Sequence, residues 1–238
     1  MSAHAKAAQA RSAASIKPAD RPTQRRMGSH EDSPRGVRAT IAPGRVFARS
    51  GDAAAELPAD PHVLGCASVT EVGYEMYDMF GPYTEVVSRG AFDATLATNP
   101  LVEFTRNHGA GGGIPMAHTR NGTLTLSVDD EGLQYDAAVD PTRTDVADLL
   151  KALQRGDLAE ASFKFRIVRG QWSPDYTEFR IEETDLDRGD VSSVNFGANP
   201  NATSALRSDA TLTAPVRRSK TEILPDSAVE HIDISVYL

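Results

Sequence analysis

The chain holds a single cysteine, Cys66. That excludes an internal disulfide framework and a multi-cysteine zinc site. Its neighbours are apolar, and it reads as a packing residue. No stretch approaches the roughly 18 consecutive apolar residues that span a bilayer, so no membrane contact is expected. The opening residues, MSAHAKAAQARSAAS, lack the apolar core of a secretory signal, and an intracellular site of action is the expectation. No period of about 20–50 residues recurs, which argues against solenoids and propellers. The Gly-x-Ser-x-Gly elbow is missing, which argues against an α/β-hydrolase.

What is present is an uneven charge. The net charge is −8, yet residues 1–40 carry eight Lys or Arg against three acids, leaving −13 on the remainder. An acidic body argues against nucleic acid as its main partner. Residues 1–60 are rich in Ala, Arg, Ser, Pro, Asp and Gly without a sustained apolar period. They cannot bury enough surface to offset ordering entropy, so a disordered basic arm is expected there. Residues 61–206 form the expected folded body, and 207–238 a linker and tail ending in the strand-like run Ile232–Leu238.

Inside the body, strand-like runs dominate. They include His62–Val69, Tyr83–Ser88, Leu101–Thr105, Tyr176–Glu183 and Asp190–Phe196. Thr123–Val128 and Gly132–Val139, with Asp129-Asp130-Glu131-Gly132 between them, read as a hairpin. A short helix is expected from Asp93, ended by Pro100, and another over Ala202–Leu206. The clearest helix is 143–155, with Val146, Leu149, Leu150 and Leu153 on one face. Thr142 or Thr144 suits its cap, and Gly156 the left-handed position after its end. The pattern predicts a β-rich α+β fold, a closed or nearly closed β-barrel with helices outside.

Gly156–Val168 carries the residue of most chemical interest. Ala159, Ala161, Phe163, Phe165 and Ile167 share one parity; Glu160, Ser162, Lys164 and Arg166 share the other. On a strand the apolar row faces a core and Ser162 faces away from it, beside charged side chains. A hydroxyl on a rigid strand suits a nucleophile. It needs a base, and the body offers His108, which closes a strand before a glycine-rich loop, and His118. The two histidines lack a clear third ligand, so neither metal nor cofactor is expected. A carboxylate to orient the imidazole comes from Glu160, Glu183, Asp185, Asp187 or Asp190, and spacing does not choose among them.

The order His, Ser, Asp and the words around them resemble the tailed-phage prohead (capsid maturation) serine protease family. The resemblance covers residues 62–206. It rests on Gly90-Ala91-Phe92, Asn107-His108, Asp130-Glu131-Gly132-Leu133 and Leu158–Phe165. Asp190-Val191-Ser192-Ser193-Val194, leading to Ala198-Asn199-Pro200-Asn201-Ala202-Thr203, completes it. It implies an assemblin-like barrel, Ser162 as nucleophile, His108 as base and Asp190 as the third member. Two departures stand out: Gly109 where the family commonly has Asp, and Asp190 where it more often has Glu. An oxyanion hole is required, and Gly197-Ala198 is one loop that could supply it.

The resemblance further implies a serine endopeptidase acting in the host cytoplasm, inside the assembling prohead. Its substrates would be the scaffold or delta segment of the major capsid protein and the protease itself. Related proteases occur in gene transfer particles, and homo-oligomerisation is left open. The rival is a catalytically inert capsid-assembly protein on the same fold. A nucleic-acid-binding barrel using Phe163 and Phe165 is disfavoured by their core parity.

Overall fold

The computed structural model describes residues 1–22, 57, 59–110, 112–197 and 202–207. In chain order it contains helix α1 (Ala3–Ala13), then β1 (His62–Val69), β2 (Tyr74–Asp78) and β3 (Gly81–Val87). Helix α2 (Asp93–Ala97), β4 (Glu103–Arg106), a turn over Asn107–Gly109 and β5 (Ala117–His118) follow. The hairpin β6 (Leu124–Val128) and β7 (Gly132–Ala138) leads to α3 (Thr144–Arg155). Strands β8 (Glu160–Trp172), β9 (Glu178–Val194) and β10 (Thr203–Arg207) complete the described fold.

The strands form two sheets, one ordered β10-β1-β7-β6 and one β2-β3-β9-β4-β5 with β8 also on β9. The fold is thus β-rich α+β. Neither sheet closes on itself among the described residues, so the expected barrel is not what the pairing draws. The sheets meet where Ser204 N–H donates to the Ala159 carbonyl at 3.0 Å. Among the described residues no ladder joins β8 to β10.

Strand β9 explains this arrangement. Its 17 residues exceed the usual strand of about 5–6, and it has different neighbours along its length. Residues 178–181 pair in parallel with β3, and 190–193 in parallel with β4. Strand β8 runs antiparallel to both halves, with register shifts between Lys164 and Arg166 and again near Arg169. Two separate strands were expected over 176–183 and 190–196. The segment joining them is instead absorbed as an irregularity, with Arg188 at φ 59°. Gly189 permits it, because a Cβ there would sit 2.0 Å from the Lys164 carbonyl oxygen.

Other expectations divide. Helix α3 buries Val146, Leu149, Leu150 and Leu153 as its periodicity requires, and Gly156 ends it at φ 78°. Its N-cap is Arg143, with no side-chain capping bond, rather than a threonine. Ala202–Leu206 is not helical: Thr203–Arg207 pairs with β1, because the free edge of β1 offers a full ladder that a single helical turn cannot match. The β6–β7 hairpin forms as expected, with Asp129 Oδ1 accepting from the Glu131 and Gly132 amides at 2.8 and 3.0 Å.

The expected disorder of residues 1–60 does not hold for α1. Alanine gives this segment high helix propensity, and Ser2 caps it by accepting from the Ala5 amide at 3.2 Å. An 11-residue helix is marginal alone. A buried arginine, Arg11, fastens it to the body. Residues 23–56 and the strand-like run 232–238 lie outside the described residues.

The core joins Val63, Tyr83, Phe92, Phe104, Leu133, Leu149, Leu150, Phe179, Ile181 and Val191, all fully buried. Because Leu150 is one of them, Leu150→Ala is expected to lower unfolding free energy by about 2–5 kcal/mol. Urea denaturation of the variant beside wild type measures the loss.

Candidate active site

Three neighbouring strands build the site. Antiparallel register sets Ser162 of β8 opposite Ser192 of β9, and Lys164 opposite Asp190. Residues directly opposed in a ladder share a face, as do residues two apart. Ser162, Lys164, Asp190 and Ser192 therefore lie on one face. Phe163 lies on the other, edge-on to Phe92 at 5.7 Å in the core. The parity read from β8 holds, but its consequence differs: Ser162 is only 9% exposed, because the face turned from the core is itself covered.

Part of that cover is the turn Asn107–Gly109 at the end of β4. Strand β4 pairs Thr105 with Ser192, which brings the turn onto β9. Asn107 and His108 adopt left-handed φ values of 48° and 56°, and Gly109 follows at 69°. For a residue with a Cβ such backbone costs about 1–3 kcal/mol and persists only where surroundings enforce it.

The enforcement is visible. His108 N–H donates to Ser192 Oγ at 2.9 Å, and Ser192 Oγ donates to the Thr105 carbonyl at 3.0 Å. Asn107 Oδ1 accepts from the Asn195 amide at 3.0 Å. The Lys164 ammonium lies 3.5 Å from the His108 carbonyl oxygen. At Gly109, the left-handed backbone suits a glycine.

The imidazole is aimed by Asp190. His108 Nδ1 lies 2.7 Å from Asp190 Oδ1, so the shorter acid spans the gap. The other carboxylate oxygen lies 2.9 Å from Lys164 Nζ. Both Asp190 and the ring are largely buried, at 5% and 11% side-chain exposure. With Nδ1–H donated to the carboxylate, the proton-accepting lone pair resides on Nε2. Among the described residues the Ser162 hydroxyl makes no hydrogen bond, to His108 or to another group. Nucleophile-to-base contacts are commonly long before substrate binds.

Geometry separates the five candidate acids that spacing could not. Glu160 Oε2 accepts the Gly197 amide at 2.6 Å. That commitment also removes the Gly197 N–H from the oxyanion role suggested for Gly197-Ala198; Ala198 lies outside the described residues. Glu183 pairs with Arg169 at 3.6 Å. Asp185 pairs with Arg166, whose guanidinium holds its carboxyl below the usual range. Asp187 accepts the Leu101 amide at 2.9 Å. His118 is engaged elsewhere, with Nδ1 accepting the Arg120 amide at 2.8 Å. No cluster of three or more metal-binding side chains occurs among the described residues.

Sequence reading passed over Ser192, Lys164 and Asn107 as members of the site. Lys164 was accessible to it, standing two residues from Ser162 on the same face. Ser192 was not, since its role depends on a pairing between strands far apart in the chain.

Beneath the site, Tyr135 Oη donates to Ser204 Oγ at 2.7 Å, and Ser204 Oγ meets Ser193 Oγ at 2.6 Å. Burial pushes the Tyr135 phenol up, which keeps it a donor. This chain of hydroxyls ties β7, β10 and β9 together behind the site.

The sequence profile of a family described as Caudovirus prohead serine protease matches residues 65–214. Comparison with curated proteins and with solved structures gives no match.

In Ser192→Ala the His108 amide loses its acceptor. Its hydrogen exchange is expected to rise by about tenfold or more, while the amides joining β3 to β9 keep their protection. Exchange measured by NMR on both proteins decides this.

Proposed function

Because the chain belongs to the caudovirus prohead serine protease family, we propose that it is a serine endopeptidase using Ser162, His108 and Asp190. The observation that carries this reading is the imidazole clamped by Asp190 on the sheet face that also bears Ser162.

In the proposed reaction, Ser162 Oγ attacks the scissile carbonyl carbon as His108 Nε2 removes its proton. The tetrahedral intermediate collapses when the imidazolium passes that proton to the leaving amine, breaking the C–N bond. Water then attacks the acyl-enzyme, giving its proton to Nε2, and the carboxyl product departs as Oγ regains a proton. Asp190 holds the ring in the Nδ1–H form and stabilises the imidazolium. Lys164 pairs with the second carboxylate oxygen of Asp190 and, through the His108 carbonyl, holds the turn in place. Both act on the ring without touching substrate.

The proposed substrates are the scaffold or delta segment of the capsid protein and the chain itself, processed inside the assembling prohead. Residues 23–60 and the run past 207 supply stretches for self-processing, rich in small and polar residues. A closed or nearly closed barrel is part of the same proposal. No helix among the described residues is long and apolar enough to cross a membrane.

One observation favours a second reading, an inert assembly protein: the Ser162 hydroxyl is not bonded to the imidazole. A fluorophosphonate separates the two, since an activated Ser162 is labelled and an inert one is not.

Ser162→Ala and His108→Ala are each expected to lower turnover by about a million-fold, with an unchanged unfolding midpoint for Ser162→Ala and a lower one for His108→Ala, which takes one of its two partners from the buried Asp190. Asp190→Asn is expected to lower it by about ten-thousand-fold, by presenting the wrong imidazole tautomer. Peptide-cleavage kinetics measure both, and equal cleavage by wild type and Ser162→Ala excludes the mechanism. Self-processing predicts that intact mass spectrometry finds shortened termini in wild type and full-length chain in Ser162→Ala; identical termini exclude it.

A further inference from the structure

The body carries a built socket for an arginine at the far end of the β8–β9 hairpin from Ser162. Arg11 of α1 fills it and is fully buried. Its Nε and Nη2 reach the two Asp78 carboxylate oxygens at 2.8 and 2.9 Å. The remaining donors go to backbone carbonyls: Nη1 to Tyr176 at 3.1 Å, and Nη2 to Gly81 and Pro82 at 2.8 and 3.2 Å. The guanidinium also lies 5.3 Å from the Tyr83 ring centre and 4.8 Å from that of Trp172. A planar fork with paired acceptors and aromatic rings is a site for arginine rather than lysine.

The chain beyond α1 continues the contact. The Ile16 carbonyl accepts from Tyr176 Oη at 2.6 Å, the Pro18 carbonyl from the Trp172 amide at 2.8 Å, and the Asp20 carbonyl from Trp172 Nε1 at 2.9 Å. Gly81 completes the fit, because a Cβ there would stand 3.1 Å from the Ala7 Cβ. These contacts come from two hairpins, β2–β3 and β8–β9, and all lie within residues 1–22.

We infer that this socket is a peptide-docking site whose occupant is the chain's own first 22 residues, held by these contacts and not by covalent connection to the body. The occupant belongs to the same chain here, and residues 23–56 connect it to the body. A cut within 23–56 therefore leaves the segment bound as a non-covalent subunit. Self-processing in that stretch would trim the linker without shedding α1. The inference rests on the socket alone and stands whether or not Ser162 is a nucleophile.

The test uses the full chain carrying Ser162→Ala, with a recognition sequence for a site-specific protease placed within 23–56. After cutting, the amino-terminal fragment is expected to co-elute with the body on gel filtration and to appear as a one-to-one complex by native mass spectrometry. Arg11→Ala is expected to weaken retention by at least about 100-fold. Arg11→Lys falls between the two. Circular dichroism of the Arg11→Ala protein checks that the sheets remain, since that substitution leaves the buried Asp78 carboxylate without its cation. A wild-type fragment that elutes free overturns the inference, as does equal retention of the Arg11→Ala fragment. Exchange of the segment between heavy and light copies before cutting assigns the socket to a second copy and overturns the same-chain reading.

Discussion

The pairing of β8 with β9 is the constraint on which the rest of the site depends. It is antiparallel, so opposed residues share a face, and a slip of one residue would reverse every side chain. In the observed register Ser162 stands across from Ser192 and Lys164 across from Asp190. That single alignment brings together on one surface a hydroxyl, an acceptor for the histidine turn and an ion pair. The bulges beyond Lys164 leave this end of the ladder regular and place the irregularity farther along.

The second requirement is that the histidine arrive on that surface in a conformation its backbone resists. Asn107 and His108 are held left-handed by bonds to Asn195 and Ser192 and by the approach of Lys164 to a carbonyl. Each partner comes from β8, β9 or the residue just past β9. The ring is consequently fixed at both ends, through its backbone by Ser192 and through Nδ1 by Asp190. Strain of this kind is sustained by tertiary contacts and commonly accompanies function. The charges are also arranged in series, with Lys164 on one oxygen of Asp190 and His108 on the other. A buried carboxylate is tolerable in such a place because it is paired on both sides.

The same economy of contacts appears at the opposite end of the hairpin, where Arg11 is taken into a socket of one carboxylate, three carbonyls and two rings. Gly109 and Asp190 each fit their places in the site. Gly109 occupies a left-handed position, and Asp190 reaches the imidazole despite its shorter stem.

Periodicity and parity determined a good deal unaided. The α3 face, its glycine end, the β6–β7 hairpin and the orientation of Phe163 against Ser162 follow from local rules, because each depends on residues within a few positions of one another. Family words in the chain pointed to His108, Ser162 and Asp190. Only the tertiary structure decided which of five acids meets the imidazole, that 203–207 is a strand, that the sheets stay open among the described residues, and that Arg11 docks a helix in a segment read as disordered. Those outcomes depend on partners between about ten and 165 positions away, whose register and burial are set by packing. Composition and period carry no record of that.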